Sequence, residues 1–286
     1  MRRLLIDGDI VLYRAAFAAQ ARKTLVELPD GSSHLFSRKW AARDWIESMG
    51  YEEDECTLVT VFDMKNEEES YMIVDNIMQE IFNNLTNNHF DMYLTGKGNY
   101  REGLAVTHKY KGNRDDNDKP VFYDQVKQYL IDTYEAEVID GMEADDKLGI
   151  EQGPDTCIVT IDKDLDQIEG WHYNFVHNDL YNVSPDEATR SFQIQCLVGD
   201  PTDNIFGLKG VGDKTANKIL DGCHPDDAWE TILFEYEKQF GDDAFDRLVE
   251  NARLLYILRK PGEIWEPPRE LLLAGEEFEE ENEIYG

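Results

Sequence analysis

Glu143, Asp145 and Asp146 place three carboxylates within four residues, where an apolar run gives way to a helical pattern. Like charges held that close oppose one another's ionisation unless a cation neutralises them. Asp162 and Asp164 follow a second apolar run, Asp200 and Asp203 precede a glycine-rich stretch, and Asp7 ends the first apolar burst of the chain. Taken singly, each group could be a helix cap in a solvated first turn. Acid pairs repeated at the ends of successive elements have a common explanation in a divalent-metal site, which activates water and steadies developing negative charge.

The elements that would position these groups are those of an α/β fold. Residues 2–6 read as a buried strand ending at Asp7, and residues 10–19 as the helix after it, with Asp9 available to cap it. Residues 57–62, 90–94, 136–139 and 157–161 read as further strands. Residues 37–49, 70–85 and 120–134 read as helices, and another helix opens at Asp145. Residues 171–175 and 180–183 suit an antiparallel hairpin, so His172 and His177 are read as hairpin residues and not as a metal pair. Helices are expected to continue from Ser184 to about residue 258. Strand ends feeding helix starts are where an α/β fold gathers its chemistry. The expected fold class is thus α/β, with a mostly parallel central sheet flanked by helices and a C-terminal helical region.

The chain of 286 residues carries 60 acidic side chains against 28 Lys and Arg, a net charge of -32. Such a field repels a polyanion at long range. Much of the excess sits in acidic runs at 52–55, 67–69 and 276–281, however, and global charge does not fix local charge. Lys97, Arg101, Lys109, Lys111, Arg114 and Lys119, interleaved with Tyr100, His108 and Tyr110, form the stretch best suited to phosphates and bases. Its low-hydrophobicity part, 112–120, is expected to be mobile. No apolar run is long enough to span a bilayer, and the start turns acidic too soon for a signal peptide. Cys56, Cys157, Cys196 and Cys223 form no CxxC pair, which disfavours zinc and a disulfide scaffold and favours a reducing interior. The block Gly207-Leu208-Lys209-Gly210-Val211-Gly212-Asp213-Lys214-Thr215 offers a tight turn and helix-start amides for a backbone phosphate. It lacks the GxxxxGK[ST] spacing and a preceding strand, so it is not read as a nucleotide P-loop.

In this order the motifs resemble the 5′-to-3′ exonuclease and flap endonuclease family, above all its bacteriophage and bacterial branch. The resemblance runs from Leu4 to about Leu258. It rests on Ile6-Asp7-Gly8 with Tyr13-Arg14, and on Tyr100-Arg101 followed by Tyr110-Lys111-Gly112-Asn113-Arg114. Glu143-Ala144-Asp145-Asp146, Thr160-Ile161-Asp162-Lys163-Asp164-Leu165-Asp166-Gln167, and Gly199-Asp200 with Asp203-Asn204-Ile205 complete it. Residues 207–212 match that family's helix-hairpin-helix-type DNA clamp.

The resemblance implies a PIN-like nuclease core over 1–190 with a mobile basic arch near 97–120. A helical DNA-binding region over 191–260 and an acidic tail over 261–286 would follow. It implies that Asp7, Glu143, Asp145, Asp146, Asp162, Asp164, Asp200 and Asp203 surround two divalent ions, Mg2+ or Mn2+, and that Lys111 and Arg114 orient the scissile phosphate. Tyr110 would stack near the terminal nucleotide. Arg101, Lys109, Lys209, Gly210, Gly212, Lys214 and Thr215 would contact DNA, with K+ at the carbonyls of the clamp. The implied substrate is duplex or branched DNA with an accessible 5′ end, or an RNA–DNA hybrid. A cytoplasmic monomer that binds no membrane is expected, in the host cytoplasm if the protein is viral. Thr95 stands where the family commonly has an aspartate, so a water or a neighbouring carboxylate would complete the metal shell. Three readings stay open: a 5′-to-3′ exonuclease with flap and RNA-primer removal, a structure-selective 5′-flap endonuclease, and a DNA-binding scaffold with weakened turnover.

Overall fold

A computed structural model of the chain describes residues 2–64, 66–114 and 119–275. In chain order it forms β1 (Arg3–Asp7), α1 (Gly8–Ala18), β2 (Gln20–Glu27), β3 (Ser33–Phe36), α2 (Lys39–Ser48), β4 (Thr57–Met64), α3 (Glu67–Leu85), β5 (Phe90–Asn99) and α4 (Tyr123–Tyr134). Next come β6 (Glu137–Gly141), α5 (Ala144–Glu151), β7 (Thr156–Val159), β8 (Gly170–Asn174), β9 (Asp179–Val183) and α6 (Pro185–Val198). The short strands β10 (Gly199–Asp200) and β11 (Ile205–Phe206) then lead to α7 (Asp213–Ile219), α8 (Ala228–Phe240) and α9 (Ala244–Leu255).

Two compact units result: Met1–Ile10 with Asn83–Asp118 and Glu135–Gly286, and Val11–Phe82 with Lys119–Tyr134. The first holds a six-stranded sheet in the order β6-β5-β1-β7-β8-β9. All neighbours are parallel except β8 and β9, which form the expected antiparallel hairpin. Leu5, Ile139, Ile158 and Leu148 of α5 pack with Ile257 in one buried cluster, so the C-terminal segment is part of the same core. A second cluster joins Phe192 of α6 to Trp229 of α8, Leu248 of α9, Trp265 and Leu271. The expected division near residue 190 is therefore not a boundary between compact bodies. Residues 261–275, assigned to an acidic tail, contribute core side chains, and 276–286 lie outside the described residues.

The other unit was not foreseen as separate. Its sheet, β3-β2-β4, is antiparallel, and β2 and β3 add two strands to those expected from the sequence. α4 belongs with this unit, not with the sheet before or after it in sequence: Tyr129 and Tyr134 both donate to Asp75 at 2.8 Å, and Tyr129 stacks on Tyr71. Lys119, placed in the basic stretch, lies in this unit over the Tyr123 ring.

The basic stretch is held more firmly than expected. β5 runs on to Asn99 instead of turning at Thr95, and Asn99 pairs with Gly141 across a register shift. Beyond it, Val106 N and Thr107 N donate to Glu250 Oε1 at 2.7 and 2.8 Å, and Lys111 N donates to Asp203 O at 2.9 Å. These bonds and that of Arg114 N to Lys111 O at 3.1 Å hold the described part of the expected arch, and 115–118 lie outside the described residues.

Candidate active site

Parallel strands aligned in one sheet present their carboxyl ends along one edge. β1 ends there at Asp7, β6 leads through Gly141 to Glu143 and Asp145, and β7 leads to Thr160, Asp162 and Asp164. The carboxylates feel one another strongly. Burial, then the charge of Asp9, pushes Asp7 up to about 7. Burial and the charges of Asp7, Asp162 and Glu143 hold Asp145 well above the usual carboxylate value. Burial with the charges of Asp162 and Asp200 pushes Asp164 up to about 7. Asp162 and Asp203 are also raised, in both cases first by burial, with Lys111 opposing the rise at Asp203. Glu143, Asp145, Asp164, Asp200 and Asp203 line one small cleft of about 40 Å³ with Arg101 and Tyr110.

Neighbouring polar groups fix these side chains. Thr160 Oγ1 donates to Asp7 Oδ2 at 2.8 Å and accepts from Asp162 N at 3.0 Å, linking the ends of two strands. Gln195 Nε2 donates to Asp164 Oδ1 at 2.6 Å, and Gln167 Nε2 orients Gln195 at 2.9 Å. Asp200 and Asp203 arrive on the β10–β11 hairpin, which folds back tightly at the end of α6. A Cβ on Gly199 would lie 2.2 Å from Gly207 N, and φ of Gly199 is +74°, so only glycine allows this fold-back.

Two expected ligands and contacts are used differently. Asp146 does not face the cluster: it is fully buried and receives Arg101 Nη1 at 2.6 Å, Arg101 Nη2 at 2.8 Å, Leu258 N at 3.1 Å and Glu143 N at 3.0 Å. Its carboxylate serves the fold and the start of α5. Arg101, expected on DNA, is 3% exposed and also donates to the Leu254 and Tyr256 carbonyls, so it cannot reach a phosphate.

Tyr110, expected to stack on a nucleotide, is 5% exposed, and its hydroxyl donates to Asp203 Oδ2 at 2.8 Å and Glu143 Oε1 at 3.1 Å. With its ring packed in the core, it orients two carboxylates instead.

Lys111 and Arg114 do reach the cluster. Lys111 Nζ pairs with Glu143 and lies 3.5 Å from Asp203 Oδ2, and Arg114 Nη2 pairs with Asp203 Oδ1. Burial alone would raise Glu143, but the charges of Lys111 and Arg101 overcome it and hold Glu143 below its ordinary value. Lys111 adopts φ +53°, uncommon outside glycine, and its backbone bond to Asp203 O supports that conformation. Lys109 is exposed next to this turn. Lys209, Gly210 and Gly212 lie exposed on the turn into α7, with Gly210 at φ +80°, and Lys214 and Thr215 lie exposed in the first turn of α7.

One carboxylate was missed as a member of the site. Asp9, read as a helix cap, accepts Thr95 N at 3.2 Å on each oxygen, and its charge acts on both Asp7 and Asp145. Thr95 itself accepts from Ala144 N at 2.9 Å through its hydroxyl, so it anchors α5 and seats Asp9. The spacing Asp7-Gly8-Asp9 was the available signal. It was discounted because an acid in a first helical turn has a purely local explanation.

Among the described residues, no group of three or more His, Cys, Asp or Glu side chains closes on a single point as a metal shell. The donor chemistry nonetheless fits a hard divalent cation: the gathered groups are all oxygen ligands, and burial with like charge raises five of them.

No family model matches the chain. Its sequence relatives include bacterial DNA polymerase I. The thermostable DNA polymerase I of Thermus caldophilus is 33% identical over 96 residues, 29% of this chain and 12% of the polymerase. DNA polymerase I of Caldicellulosiruptor bescii is 26% identical over 242 residues, 77% of this chain and 24% of the polymerase. The chain thus covers less than a quarter of the length of either polymerase. Among solved structures, T5 5′-exonuclease with divalent zinc ions bound aligns over 96% of this chain and 89% of its own, at 15% identity and a TM-score of 0.47, a likeness too slight to carry an argument. The ordered carboxylate and glycine motifs resemble those of the 5′-to-3′ exonuclease and flap endonuclease family, and the chain is similar to part of bacterial DNA polymerase I.

Proposed function

We propose that the protein is a divalent-metal-dependent nuclease that hydrolyses phosphodiester bonds of DNA from an accessible 5′ end, releasing nucleotides or short products. The observation that carries this reading is the convergence of Asp7, Asp9, Asp145, Asp162, Asp164 and Asp200 beside Lys111 and Arg114 at one sheet edge. Glu143 and Asp203 join the carboxylates to the basic pair. Asp9 answers the departure at Thr95, which favours an active enzyme over a binding scaffold. Two bound Mg2+ or Mn2+ ions would supply an activated water and would neutralise charge on the phosphate and the leaving oxygen.

The chain's own groups do the positioning. Thr160 and Gln195 hold Asp7 and Asp164, and Tyr110 holds Glu143 and Asp203. The Lys111 ammonium and Arg114 guanidinium face the scissile phosphate and turn from their carboxylate partners toward it when the substrate arrives. Lys209, Gly210, Gly212, Lys214 and Thr215 grip the duplex backbone away from the cut, with K+ at the turn carbonyls. The substrate range includes 5′ flaps and RNA primers, and the protein acts as a monomer without a membrane partner.

Product lengths from matched blunt, nicked and 5′-flap DNAs, and from an RNA-containing strand, test this with Mg2+, with Mn2+ and without metal. Ladders from blunt duplex are expected, with excision at the flap junction. Binding without product in either metal would remove the enzymatic reading. Lys111→Ala is expected to slow single-turnover cleavage about 10- to 100-fold by removing a charge that stabilises the phosphate in the transition state. An unchanged rate would place Lys111 outside the reaction centre.

Folded-state values near 7 also make a stability prediction. Folded Asp7 and Asp164 keep protons that the unfolded chain releases at lower pH, so their contribution is full only below the ordinary value of 3.8 and is lost as pH rises from there through about 7. A bound cation offsets that loss. Thermal melts in EDTA are expected to fall between about pH 5 and pH 8, with the rise in Tm on adding Mg2+ largest at the alkaline end. A metal effect of equal size at both ends would contradict this.

A further inference from the structure

A second cleft, of about 170 Å³, shares Ile205 and Leu254 with the carboxylate cleft; its lining includes His108, Asn204, Phe206, Gln239, Phe240 and Arg247. Small-molecule pockets run to about 300–1,000 Å³, so this one suits a single flat ring system. Phe206 is 51% exposed, an open aromatic on the hairpin that carries Asp200 and Asp203, and His108 meets it edge-on at 4.9 Å. Arg247 places its guanidinium 5.3 Å from the Phe240 ring centroid. Aromatic rings and a planar cation are the surfaces on which unpaired bases stack. Carboxamides add hydrogen-bonding edges: Gln239 Oε1 accepts from Lys209 N at 2.8 Å, and Asn204 Nδ2 donates to Lys109 O at 2.9 Å.

The chain links this cleft to the reaction centre. Asn204 follows Asp203, and Lys109 precedes Tyr110 and Lys111. We propose that the cleft receives one unpaired nucleobase of the DNA substrate next to the scissile phosphate, with Phe206 as its stacking surface. This rests on the nuclease reading above. It also supplies the stacking aromatic that buried Tyr110 cannot be. A base paired within a duplex cannot enter, so the cleft favours substrates with a frayed or flapped 5′ strand.

The test uses 5′-flap DNAs carrying 2-aminopurine at successive positions around the junction, bound to the full chain in EDTA, with matched blunt duplex as control. Fluorescence is expected to change at one position with the unsubstituted protein. Phe206→Ala should abolish that change and raise KM for flap cleavage about 5- to 150-fold, with kcat and blunt-duplex binding nearly unchanged. Phe206→Trp should restore both. Thermal melts of both variants establish that the fold is intact. A fluorescence change that survives Phe206→Ala, or an equal loss on blunt duplex, would overturn the pocket. Cleavage by the unsubstituted protein with no change at any position would overturn the pocket alone, whereas no DNA binding at all would overturn the pocket and the nuclease reading together.

Discussion

Asp145→Asn is expected to reduce cleavage at saturating metal by ~100-fold or more, since even outer partners of a metal ligand are worth about 10- to 100-fold. Asp145 sits in the first turn of α5, where burial and the charges of Asp7, Asp162, Glu143 and Asp9 all raise it. Such a group costs the metal-free fold stability once it must ionise: its folded-state value lies above the unfolded one, so stability falls as pH rises between them. Asparagine removes that cost. The variant should therefore melt higher than the unsubstituted protein in EDTA at neutral pH, and the gap should close in acid, where the aspartate is neutral in both states. DNA binding in EDTA should be retained, and the Tm gain on adding Mg2+ should shrink. Loss of activity together with a raised metal-free Tm separates a lost ligand from a damaged fold. Turnover like that of the unsubstituted protein at saturating metal would remove Asp145 from the site.

The same electrostatic logic explains what the sequence could disclose. Apolar runs ending in aspartate mark buried strands with acids at their carboxyl ends, so Asp7, Asp145, Asp162 and Asp164 were legible without coordinates. The hairpin β8–β9 and the capping box of Ser184 and Glu187 at the start of α6 were legible too, because their signals are local. Arg101 and Tyr110 were not. A basic or aromatic residue in a polar stretch looks like a nucleic-acid contact, and nothing nearby reveals a buried partner 45 residues away or carbonyls 153 and 155 residues away. The separate unit was hidden for a related reason. Residues 119–134 follow the basic stretch in sequence but pack by Tyr129 and Tyr134 against Asp75 and Tyr71, a pairing that helical periodicity does not encode. Asp9 was visible but ambiguous until its contact with Thr95 gave it a second role.

Arg101→Ala is expected to destabilise the fold by about 3–5 kcal/mol, because it leaves the Asp146 carboxylate buried without its counter-charge. The pair is bidentate, and both partners hold further bonds: Arg101 to the Leu254 and Tyr256 carbonyls, Asp146 to the Leu258 and Glu143 amides. One ion pair thus ties the end of β5, the start of α5 and the segment after α9 within the same unit. Asp146→Ala should cost about as much, and the double variant little more than either single one, since only a lone buried charge carries the largest penalty. Urea unfolding of the four proteins measures this coupling, and additive losses would show that the two groups act independently. The consequence for function follows from the Glu143 amide, which rests on Asp146 while the Glu143 side chain meets Lys111. Loosening the pair should lower cleavage by shifting Glu143, yet leave the salt dependence of DNA binding unchanged. A residue that truly contacted phosphate would reduce the slope of log K against log salt by about 0.9 when removed. An unchanged slope alongside the stability loss would identify Arg101 as part of the scaffold under the site, while a reduced slope would return it to the DNA surface.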